Sequence, residues 1–135
     1  MSDIFEDQRK FMRACGQTVD EYNAQQFALY RELIREETQE LSDAKNAVEQ
    51  LDALIDILVV TAGAIHSMGV DAPGAWKEVM RSNFAKIDPR TGKVQRREDG
   101  KILKPANWEP PRLQSYVRSR NWDHYSDLPA PESYR

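Results

Sequence analysis

Between Ala53 and Ile65, thirteen residues carry a single charged side chain, Asp56. Leu54, Ile55, Ile57, Leu58, Val59 and Val60 surround it, so any rotation of a helix here brings the carboxylate against apolar neighbours. A helix apolar nearly all round belongs in the centre of a core or in a subunit interface. The run is too short to cross a bilayer and is broken by the acid. A chain of 135 residues has few other helices to cover it, which points to a homo-oligomer.

The preceding segment repeats the conflict. Residues 24–47 read as a long helix, with Tyr30, Leu33, Ile34, Leu41, Ala44 and Val48 drawing one apolar stripe. Glu37 falls inside that stripe. Glu36 and Glu40 lie within about one third of the helix circumference around it. On the next helix, expected over residues 49–68, Glu49, Asp52 and Asp56 share a face at i, i+3 and i+7. Unpaired buried carboxylates cost several kcal/mol each. No Lys or Arg occurs in residues 46–76. A divalent cation is the remaining strong compensator, and carboxylate oxygens suit Mg²⁺ or Mn²⁺. The single cysteine, Cys15, rules out a cysteine-based zinc site within one chain and reads as a small residue in a packed helix. Glu32, Glu36 and Asp43 read equally well as solvated helix acids.

Charge divides along the chain. Residues 1–80 hold 7 Lys/Arg against 15 Asp/Glu, and residues 81–118 hold 10 against 4. That pattern is not a nucleic-acid footprint. It suits metal cations on one side of a ligand and phosphates on the other. Several carboxylates around a metal make sense when the ligand is a polyphosphate, with Arg81, Lys86, Arg96, Arg97, Lys101 and Lys104 as cationic partners.

Two further helices are expected, over residues 4–15 with Gly16 as a stop, and from Pro73 to Lys86 with Asp71 as N-cap. Gly69 is a natural C-cap for the helix before it. Past Asp88 the turn signals Pro89-Arg90-Thr91-Gly92 and Asp99-Gly100 suggest a small hairpin or an ordered loop, and prolines exclude a helix. The expected fold is all-α, a compact bundle of four to five helices with a C-terminal loop or arm. Residues 1–113 form one domain and 114–135 an arm that docks or is partly flexible. No signal peptide or membrane span is visible, so the expected location is the cytoplasm.

Glu36-Glu37-Thr38-Gln39-Glu40, followed by Glu49-Gln50-Leu51-Asp52 and Asp56, resembles the EExxE…ExxD signature of the all-α nucleoside triphosphate pyrophosphohydrolases. These include the MazG-like proteins and phosphoribosyl-ATP pyrophosphohydrolase. Ser82-Asn83-Phe84-Ala85-Lys86-Ile87-Asp88, Gly92-Lys93-Val94, Arg97 to Lys104 and Trp108-Glu109-Pro110-Pro111 are similar to the small bacterial and phage members. The likeness spans residues 5–113. Two departures stand out: the spacer from Glu40 to Glu49 is short, and Ala53 occupies the Glu position if Asp56 is taken as the motif's Asp.

The resemblance implies hydrolysis of a (d)NTP to (d)NMP and pyrophosphate with Mg²⁺ or Mn²⁺, and a dimer or, ranked first, a dimer of dimers. It implies metal ligands among Glu37, Glu40, Asp52, Asp56 and Glu49, with Glu36 or Glu37 taking the water proton. Asn83, Lys86, Arg97, Lys101 and Lys104 would hold phosphate or sugar. Trp108 and Phe84 are candidates for stacking on the base, with a core position the better reading for Phe84 and Trp108 evenly balanced. A purine deoxynucleotide such as dGTP is the first candidate substrate. Alternatives are dUTP or dCTP, phosphoribosyl-ATP, or a non-catalytic module that binds nucleotide or metal. No nucleic-acid polymer and no membrane is expected as a partner.

Overall fold

A computed structural model describes residues 3–117. The arm expected over residues 114–135 lies for the most part outside the described residues. Within them, four helices account for nearly all regular structure: α1 (Ile4–Ala14), α2 (Ala24–Asp43), α3 (Ala47–Ser67) and α4 (Ala72–Phe84). One short antiparallel pair, β1 (Ile87–Asp88) with β2 (Lys93–Val94), completes the elements. The all-α expectation holds. The described residues divide into two compact units, residues 3–72 with 117, and residues 73–116.

In the first unit α2 and α3 pack along each other, and α1 packs on α3. The three-residue connection between α2 and α3 makes them an antiparallel hairpin. Ala44 turns extended (φ −62°, ψ 135°), which ends α2, and Asn46 caps α3 by accepting from the Glu49 N–H at 2.9 Å. The Glu49 carboxylate in turn accepts from the Lys45 N–H at 2.8 Å. This reciprocal cap breaks the α2 stripe after Leu41: Val48 sits in the first turn of α3 and is 78% exposed. Likewise Gly69, at φ +71°, follows the Met68 C-cap of α3, the conformation only glycine adopts freely.

The core gathers Met12, Val19, Phe27, Tyr30, Val60 and Ala64, with Leu33, Ile34 and Met68 against them. Burying a side chain the size of Phe27 contributes about 1.5–3 kcal/mol. Gly63 lets the Tyr30 ring lie directly on α3; a Cβ there would sit 2.6 Å from Tyr30 Cδ1. Buried Gln26 ties three strands of chain together, donating to Ser67 Oγ (2.8 Å) and Thr18 O (2.7 Å) while accepting from Thr18 N (2.9 Å). His66, fully buried on α3, makes a 2.8 Å hydrogen bond through Nε2 to the Phe5 carbonyl of α1. Cys15, expected to be packed, is exposed at the C-cap of α1 instead, because the helix ends there in a Gly16 turn.

α3 does not bury its whole apolar surface. Leu51, Leu54, Ile55, Leu58 and Val59 remain exposed, Leu51 by 61%. The small residues Ala53, Val60, Ala62, Gly63 and Ala64 take the inward face. Among the described residues no single helix is long and apolar enough to cross a membrane.

The second unit holds α4 and the turn-rich segment after it. Glu78 of α4 pairs with Arg81 at 2.9 Å and accepts from the Arg112 N–H at 2.6 Å, and Arg81 donates to the Pro110 carbonyl. These contacts hold Glu78 down to about 2, with the Arg81 hydrogen bond foremost. The β1–β2 turn and a second bridge, Arg96 to Ile102, realise the expected hairpin. Phe84 is 61% exposed and is not core.

Candidate metal and nucleotide site

The short α2–α3 connection sets Glu37 and Glu40 of α2 beside Asp56 of α3. Each offers a carboxylate oxygen, and the three oxygens lie within 4.8 Å of one another. Glu37 and Asp56 are half-buried, and Glu40 is exposed at the mouth. One Glu37 oxygen, Oε2, is buried with no hydrogen-bond partner among the described residues. Burial, a hydrogen bond with Glu40 and repulsion from Glu40, Asp56 and Asp52 push Glu37 from an ordinary 4.5 up to about 7. Burial, then Asp52 and Glu40, also raise Asp56. Three carboxylates gathered without a Lys or Arg, one with an orphaned oxygen, fit the donor set of a hard divalent cation.

Next to this cluster, Glu40, Asp43, Ala44, Glu49, Asp52 and Ala53 line a cleft of about 260 Å³. Ala53 is almost fully buried in its wall. Asp52, Asp43 and Glu49 keep the cleft acidic.

In the second unit, a separate cavity of about 600 Å³ is lined by residues from 85 to 107, among them Lys86, Asp88, Arg90, Gln95, Lys104 and Asn107. Asn83, one turn before Lys86 at the end of α4, accepts from its ammonium at 3.2 Å. The ammonium groups of Lys86 and Lys104 stand 5.4 and 4.5 Å from the centre of the Trp108 ring. The half-buried indole donates through Nε1 to the Ser82 carbonyl at 2.6 Å.

A family description of phosphoribosyl-ATP pyrophosphohydrolases matches residues 8–83, more than half of the chain. The chain belongs to that family. Its members are divalent-metal-dependent pyrophosphohydrolases, which supports nucleotide pyrophosphohydrolase activity at the level of the family. No curated protein matches the chain.

The expected site residues fall into three groups. Glu37, Glu40 and Asp56 come together, with Asp52 close enough to raise both half-buried acids. Glu49 borders the cleft but lies outside the three-carboxylate cluster, with one oxygen engaged at the cap of α3. Glu36 is exposed on α2, also outside the cluster. Of the basic set, Lys86 and Lys104 line the cavity. Arg97 and Lys101 do not: they face each other across the second hairpin, where Arg97 pairs with Asp99 at 2.7 Å. Arg90, Gln95 and Asn107 join the cavity wall without having stood out in the sequence, and Asp43 joins the acidic cleft. For Asp43 the signal was present, since it follows Glu40 by three residues on the same helix.

Proposed function

We propose that the chain hydrolyses a (d)NTP to the (d)NMP and pyrophosphate. The observation that carries this reading is the buried, unpartnered Oε2 of Glu37 facing Glu40 and Asp56. Such an arrangement is costly for a protein that never binds a cation and natural for one that does. Glu37, Glu40 and Asp56 would hold Mg²⁺ or Mn²⁺, with Asp52 beside them. When bound, the cation supplies an acidified water and a countercharge for the triphosphate. In the reaction a water oxygen forms a bond to the α-phosphorus and the bond to the pyrophosphate oxygen breaks. The water's proton passes to Glu36 or Glu37. Asn83, Lys86 and Lys104 bind the phosphates; Arg97 and Lys101, turned to their own hairpin, are the weaker candidates. The first substrate to test is dGTP, on the resemblance to small phage members.

A second reading, hydrolysis of phosphoribosyl-ATP, is favoured by the description of the matching family. Both readings break the same kind of bond. The exposed Leu51, Leu54, Ile55, Leu58 and Val59 of α3 further support assembly with other copies, a dimer of dimers before a dimer.

The test is a panel of NTPs, dNTPs and phosphoribosyl-ATP with Mg²⁺ or Mn²⁺, products separated by chromatography. Pyrophosphate with the matching monophosphate supports the proposal. No turnover of any nucleotide with either metal would leave a binding module instead.

A further inference from the structure

The last carbonyls of a helix have no partner within it. At the end of α4, Arg81 O accepts from Ala85 N and Asn83 O from Lys86 N, while Ser82 O is met by the Trp108 indole N–H at 2.6 Å. The helix terminus is thus capped by the indole of a residue 26 positions further along. Its own turn is braced by Trp108 N donating to Pro105 O at 3.0 Å. Both Lys86 and Lys104 then rest their ammonium groups over this one ring. A cation over an indole face is attracted by the ring quadrupole, so the ring limits where two otherwise floppy side chains can go.

Both lysines also line the 600 Å³ cavity. The other charges in its wall cancel: Asp88 pairs with Arg90 at 3.4 Å and accepts from Gln95 at 3.2 Å. Among the described residues neither lysine has a carboxylate within ion-pair distance. Two uncancelled, gathered cations at one cavity wall make an anion site.

The geometry points to Trp108 as a positioning residue for phosphate: the indole, pinned to Ser82, gathers Lys86 and Lys104 at the cavity wall to receive a polyphosphate. This rests on the nucleotide reading above only for the identity of the anion. It replaces base stacking as the role of Trp108, because the ring already carries the two ammonium groups and its N–H is spent on the helix end.

The probe is inorganic tripolyphosphate, which has no base to stack. Titration calorimetry on the full chain, in chelator so that no metal bridge contributes, compares wild type with Trp108→Leu, Trp108→Phe, Lys104→Ala and the Trp108→Leu/Lys104→Ala double variant. Trp108→Leu should weaken binding about 5- to 30-fold, because two lysines no longer held by the ring must be ordered on binding. Trp108→Phe, which keeps a ring face but lacks the N–H that bonds Ser82 O, should recover only part of it. The double variant should lose less than the two single losses combined, since the indole acts through the lysines. Where nucleotides are turned over, Trp108→Leu should raise KM by one common factor for every base. Unchanged tripolyphosphate affinity in Trp108→Leu overturns the inference, and an altered ranking of bases alongside it would assign the indole to stacking. Should Trp108→Leu fail to fold, wild-type NMR decides. The ε-methylene protons of Lys86 and Lys104 should be shifted upfield by the ring and move again on adding tripolyphosphate. Tripolyphosphate that leaves both unmoved overturns the inference. Trp108-dependent binding without nucleotide turnover would sink the enzymatic reading and keep this one. Turnover with Trp108-independent binding would do the reverse.

Discussion

Glu37 should be worth more to the protein with metal than without, to the point that its loss changes sign. Consider Glu37→Gln, which keeps the shape and removes the charge. In the metal-free fold, burial and the neighbours Glu40, Asp56 and Asp52 raise this carboxyl from 4.5 to about 7. The folded chain therefore binds more protons than the unfolded chain between those values, and stability falls as pH rises through them. At about 1.36 kcal/mol per pH unit, the interval sets a ceiling of about 3.4 kcal/mol. Glu37 is partly exposed, and solvent screening brings the expected cost to about 1–2 kcal/mol at pH 8. In chelator at pH 8, Glu37→Gln should therefore melt about 3–10 °C above wild type. At pH 4 the two should coincide. With metal the order should reverse: wild type gains about 2.7 kcal/mol at a hundredfold excess over Kd, and the variant, short of one ligand, gains little. Differential scanning calorimetry at matched protein concentration, with and without Mg²⁺, measures all four values. A variant less stable than wild type in chelator at pH 8 would mean that Glu37 does not strain the metal-free fold, and one with an equal metal response that it does not bind the cation.

Other outcomes follow from the same structure. His66 is held neutral: burial depresses it below 6.5, and its buried Nδ1 has no partner for a second N–H. The unfolded chain then binds the extra proton, so stability should fall as pH drops below about 6.5, and His66→Gln should flatten that slope in pH-dependent denaturant titrations. Gly63→Ala should cost about 1–3 kcal/mol, because the new methyl meets the Tyr30 ring; an unchanged melting temperature would contradict the α2–α3 packing described. If the proposed oligomer forms through the exposed face of α3, Leu58→Lys should give smaller species than wild type in light scattering, and a wild-type monomer at micromolar concentration would contradict it. Asp56→Ala and Glu40→Ala should each abolish most metal-dependent turnover, whereas Glu49→Ala, at the cap of α3, should show first as lost stability.

The sequence made the acid site legible because an acid inside an apolar stripe is a conflict that needs resolving. Glu37 and Asp56 announced themselves in this way, and the structure sets them together with Glu40. Glu49 is ambiguous in the sequence because a capping Glu and a metal-binding Glu look alike in a motif; the structure adds that one of its oxygens accepts from the Lys45 N–H at the cap. Helix ends shifted for a similar reason, as Asn46 outcompetes the apolar period and starts a new helix at Ala47. The basic segment was legible only as charge. Which lysines converge depends on turns at Gly92 and Gly100 and on an indole bonded across 26 residues, and no local pattern encodes that pairing. Cys15 and Phe84 were misplaced because apolar spacing near a helix end does not say which face meets a neighbour.

The central claim is that water attacks the α-phosphorus of a nucleotide at the Glu37–Glu40–Asp56 site. Turnover of a substrate nucleoside triphosphate with Mg²⁺ in ¹⁸O-water, followed by mass spectrometry of the products, tests it most directly. One ¹⁸O is expected in the nucleoside monophosphate and none in the pyrophosphate, with both products lost in Asp56→Ala. Label in pyrophosphate or orthophosphate, or a nucleoside diphosphate among the products, would contradict it.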